Sequence, residues 1–109
     1  MFLYHATFKS RLESIKARGL GRMQLKNWSF SESGCVYLCS DKGCAISYCE
    51  AAEEVPEDVY ASGIVVLKID MTKIDKNRLS LDHNQKEQTM YRNYKYKGII
   101  SFTDLAVCT

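Results

Sequence analysis

The run Ile64-Val65-Val66-Leu67-Lys68-Ile69 limits the architecture more than any other stretch of this chain. Its near-continuous apolar character predicts a central strand buried on both faces, not a half-exposed one with strict alternation. A chain of 109 residues is too short for two ordinary domains, so residues 1–109 are expected to fold as one. With 46% apolar and 26% charged residues, the composition can bury a core and is not that of a disordered tail.

The other elements are read from caps and periodicity. Phe2-Leu3-Tyr4-His5 predicts a short first strand. Thr7 and Ser10 are candidate N-caps, and Ser10 with Glu13 fits a capping box. Leu12 and Ile15 then mark an apolar stripe that Gly19 closes. Residues 20–34, with Trp28 and Phe30, read as a long loop. Val36-Tyr37-Leu38 is a strand, and Ser40 or Asp41 caps a second helix. Ala45, Tyr48, Cys49 and Ala52 form one face of that helix. Glu53 to Ser62 reads as an acidic surface loop. Residues 71–91 carry no clear period. Tyr94 to Ser101 and Leu105-Ala106-Val107 are further strands. Strands outnumber helices and several should pair directly, so the fold class is α+β.

Charge is uneven. Residues 1–27 carry a net +5, residues 28–63 a net −6, and residues 64–109 a net +3. The overall +2 does not demand nucleic acid; the basic first third reads as a solvated helix face, with a surface for a phosphate-bearing ligand as the alternative. No apolar run approaches the roughly 20 residues that span a bilayer, so no membrane association is expected. The start lacks a basic n-region and a small-residue cleavage site, so a cytoplasmic protein is expected. Its five cysteines, Cys35, Cys39, Cys44, Cys49 and Cys108, are then reduced thiols. Their CxxxC and CxxxxC spacings, with His5 and His83 distant, do not read as a metal site. Phosphate-loop, GxSxG and HExxH signatures are absent.

One ordered constellation is more specific. Gly34-Cys35-Val36-Tyr37-Leu38 ends a strand, and Tyr48 follows Tyr37 by eleven residues in the next helix. Tyr4-His5-Ala6-Thr7 precedes it, Ile64 to Asp70 follows, and Tyr96-Lys97-Gly98-Ile99-Ile100 comes late. This set resembles the ADP-ribosyltransferase family, in the branch of diphtheria toxin and the poly(ADP-ribose) polymerases. The resemblance covers most of the chain, in order. It implies a mostly antiparallel split β-sheet with two or three helices around an NAD cleft.

The resemblance also implies roles. NAD is the substrate, and ADP-ribose passes to a macromolecular acceptor, a protein or a nucleic acid, as nicotinamide leaves. Tyr37 and Tyr48 stack the nicotinamide ring, which suits a cationic pyridinium. His5 donates a hydrogen bond to the adjacent ribose, and Thr7 bonds the ligand nearby. Arg11, Arg18 or Arg22 would meet the pyrophosphate. A late carboxylate stabilises the oxocarbenium-like transition state. Here the sequence departs from the pattern: Tyr94-Lys95-Tyr96-Lys97 offers lysines, and the nearest upstream acid is Glu87. Ala6 stands for the usual Gly, and Ala45 for a common Ser. The small size, joined to the resemblance, implies a toxin or a phage or defence-related factor. Two alternatives remain: a catalytically inactive module of the same fold that occupies a partner's surface, and a cysteine enzyme pairing a thiol with His5.

Overall fold

The computed structural model describes residues 2–21, 35–51, 55–81 and 93–108. Six strands form one sheet: β1 (Phe2–Phe8), β2 (Cys35–Cys39), β3 (Ile64–Asp70), β4 (Leu79–Leu81), β5 (Asn93–Lys97) and β6 (Leu105–Cys108). Their order is β4-β5-β2-β1-β3-β6, and every neighbouring pair is antiparallel. Among the described residues three helices accompany it: α1 (Leu12–Arg18), α2 (Lys42–Glu50) and α3 (Glu57–Ala61). The α+β class is therefore realised as an antiparallel sheet between helices.

The pleat explains how both faces are covered. On β1, Leu3 packs with Leu38 of β2, Leu67 and Ile69 of β3, and Ile15 of α1. The alternate residues Ala6 and Phe8 pack with Val66, Cys39, and Ala45 and Cys49 of α2. Thus α1 closes one face and α2 the other. β3 lies between β1 and β6, so its run is buried on both sides: Val65, Val66, Leu67 and Ile69 are all inaccessible.

Local signals account for the element ends. Asp41 is the N-cap of α2, its Oδ2 accepting from the Cys44 backbone N–H at 2.9 Å. Gly19 ends α1 with φ +86, a region that only glycine enters freely. The expected capping box at Ser10 does not form. A 3₁₀ turn over Lys9–Arg11 intervenes, α1 has no side-chain cap, and the Ser10 N–H donates to Ser62 Oγ at 3.1 Å. β1 continues to Phe8 because both faces of Ala6 and Thr7 are covered, which leaves no polar alternation to read. The supposed loop before β3 contains α3, begun at Pro56 and carrying two acids in its first turn. Residues 71–81 form two 3₁₀ turns and the short edge strand β4. Among the described residues no helix is long and apolar enough to cross a membrane.

Candidate functional site

The two central strands, β1 and β2, meet at one registered pair, Tyr4 opposite Cys39, whereas β1 and β3 are registered over seven pairs. Beside that single pair, the His5 ring joins the strands. Its Nδ1 lies 2.9 Å from the Tyr37 carbonyl oxygen. A carbonyl can only accept, so Nδ1 carries the proton and donates. Burial lowers the imidazole pKa from its ordinary 6.5, and the nearby Arg11 charge adds to the lowering; the Tyr37 bond opposes both. A neutral ring with Nδ1–H engaged leaves the lone pair on Nε2. His5 is therefore set to accept a hydrogen bond, where the sequence suggested a donor.

Tyr37 reaches the junction from the other strand. Val36 and Leu38 are buried in the α1-side core, which turns Tyr37 to the α2 side with Cys39. There it is half-buried. Tyr48 lies on the same side, packed on the cluster of Ala6, Phe8, Ala45 and Cys49. The two tyrosines thus share a face of the sheet. His5 alternates with Tyr4 and Ala6, which places its ring on the side of Leu3 and Thr7; it touches Tyr37 through the main chain and not ring to ring. Thr7, paired with Val65, is only 4% exposed and has little surface to offer a ligand. Glu87 lies outside the described residues, as do Arg22, Trp28, Phe30 and His83.

The late strand β5 pairs with β2. Its register sets Lys95 opposite Tyr37 and Lys97 opposite Cys35. The position across from the tyrosine is therefore cationic. Tyr94 and Tyr96 point the other way, into the α1-side core.

Arg11 shows what charge counting missed. Its side chain is not on a solvated face: it is 8% exposed, with the guanidinium carbon 5.6 Å from the Phe8 ring centroid. Phe8 in turn meets Tyr60 of α3 with centroids 5.4 Å apart. Desolvation lowers the Arg11 pKa, and only an ionised Cys49 would oppose this. Burial pushes Cys49 up to about 11, so it is a protonated, weakly nucleophilic thiol. Arg18, by contrast, is exposed. No group of three or more His, Cys, Asp or Glu side chains is placed to hold a metal among the described residues.

The chain matches no protein-family model, no curated protein and no solved structure.

Proposed function

We propose that the chain is an NAD-binding ADP-ribosyltransferase-like domain that transfers ADP-ribose to a macromolecular acceptor. The observation that carries this reading is the β1–β2 junction: the His5 ring is bonded to the main chain of Tyr37 at 2.9 Å, and Tyr48 shares the tyrosine's face of the sheet. In this reading Tyr37 and Tyr48 hold the nicotinamide ring, and His5, whose ring lies on the other side of the sheet, positions Tyr37 through its Nδ1–H bond to the main chain. The bond between the ribose C1′ and the nicotinamide nitrogen breaks, the nitrogen takes the electron pair, and an acceptor atom bonds C1′. Glu87 supplies the negative charge facing the oxocarbenium-like carbon.

A second reading has one observation in its favour. Lys95 stands opposite Tyr37, where an acid would assist transfer, so the same fold could bind without turnover and act by occupying a partner's surface. Incubation with adenylate-labelled NAD and a cell lysate separates the two. The transferase reading expects labelled product from the wild type. It expects Glu87→Gln to lower transfer by about 10²–10³ while NAD affinity stays nearly unchanged, because the carboxylate acts mainly as charge develops. NAD binding without label transfer would establish the binding module instead.

A further inference from the structure

We propose that Cys39 and Cys44 form a dithiol site that a low-molecular-weight disulfide of the glutathione class converts into an intramolecular disulfide. Cys39 is the last residue of β2, and Cys44 lies in the first turn of α2. The turn between them is held tightly: Asp41 Oδ2 accepts from the Cys44 N–H at 2.9 Å, and the Asp41 carbonyl from the Ala45 N–H at 3.1 Å. This cap folds the helix start back onto the strand end, and Cys44 packs against the buried cluster that contains Cys39. The two cysteines thus lie at the meeting point of the β2 end and the α2 start, in one packed cluster, and a disulfide between them needs their sulfurs to close to about 2.05 Å.

Accessibility sets the order of events. Cys39 is buried and Cys44 is partly exposed, so an incoming disulfide meets Cys44 first. Burial and the Asp41 charge raise the Cys44 pKa, while the Cys39 contact lowers it. The attacking thiolate is therefore scarce near neutrality, and the exchange speeds up as the solution becomes more basic. The Cys44 thiolate attacks one sulfur of the small disulfide, forming a mixed disulfide and expelling one small thiolate. The Cys39 sulfur then attacks Cys44 Sγ and expels the second. Two electrons pass from the protein to the small disulfide, and the two thiol protons end on the two small thiols. The product bond fastens β2, two residues beyond Tyr37, to the helix that carries Tyr48.

Peptide mapping of the full chain tests this. Cleavage after Lys42 separates residues 27–42, which hold Cys35 and Cys39, from residues 43–68, which hold Cys44 and Cys49. Folded wild-type protein is treated with oxidised glutathione, alkylated and digested. The expected result is a linked peptide pair whose fragments place the bond at Cys39 and Cys44, with three thiols of the five still alkylated. Dithiothreitol should restore all five, and Cys44→Ser should abolish the linked pair. Should Cys44→Ser fail to fold, the wild-type map alone decides. Five thiols still alkylated after treatment, a bond mapped to Cys35, Cys49 or Cys108, or a linked pair persisting in Cys44→Ser would each overturn the proposal.

Discussion

Acid should destabilise this domain through His5, and the size of the effect can be bounded. In the folded chain the imidazole is desolvated, close to the Arg11 charge, and committed as an Nδ1–H donor to the Tyr37 carbonyl. All but the last disfavour a second proton, so the folded pKa lies below 6.5. As pH falls through 6.5, the unfolded chain takes up a proton that the folded chain still refuses. The unfolded state then binds more protons, and stability falls with pH until the folded pKa is reached. The slope from this one group is at most about 1.4 kcal/mol per pH unit, and it vanishes above about pH 7.5. Urea unfolding at about pH 5.5 and about pH 7.5 should show a loss approaching that limit. His5→Asn keeps an N–H near the Nδ1 position and does not titrate, so it should flatten this part of the profile. His5→Ala leaves the Tyr37 carbonyl without its ring donor and should cost about 1–3 kcal/mol at about pH 7.5, and correspondingly less at about pH 5.5, where the wild type alone has lost stability through His5. An acid-dependent loss as large in His5→Asn as in the wild type would refute this account of the junction.

Other perturbations test the frame around the site. Gly21 has φ +102, and a Cβ there would lie 2.5 Å from the Gly98 carbonyl oxygen and 2.7 Å from Val36 Cγ2. Gly21→Ala should therefore lower the urea-derived stability by about 1–3 kcal/mol. Asp41→Ala removes the α2 cap and should cost about 0.5–2 kcal/mol, measured the same way.

The parts of the fold that a reader of the sequence can find are those decided locally. Asp41 as a cap, Gly19 as a stop and the apolar stretch of β3 each act within a few residues. The misses come from contacts between distant residues. Arg11 looks like a solvated charge until Phe8 and Cys49 are brought around it. Ser10 looks like a helix cap, but Ser62, distant in sequence, takes its N–H. The α3 helix has only Val59 partly buried against the core, too little for a visible period. The candidate site follows the same division. His5, Tyr37 and Tyr48 can be singled out by type and spacing, and that His5 would bond the main chain of a residue 32 positions away depends on β1 and β2 lying side by side.

The most direct test of the central claim is a thermal unfolding series of the reduced protein titrated with NAD. A ligand that binds only the folded state stabilises it by about 2.7 kcal/mol at a hundredfold excess over its Kd. For a domain of this length that is a rise on the order of ten degrees in Tm. The account predicts a saturable rise for the wild type, with the titration displaced to higher NAD concentration in Tyr37→Ala, which removes one face of the proposed stack. A wild-type melting curve that does not move at saturating NAD would contradict it.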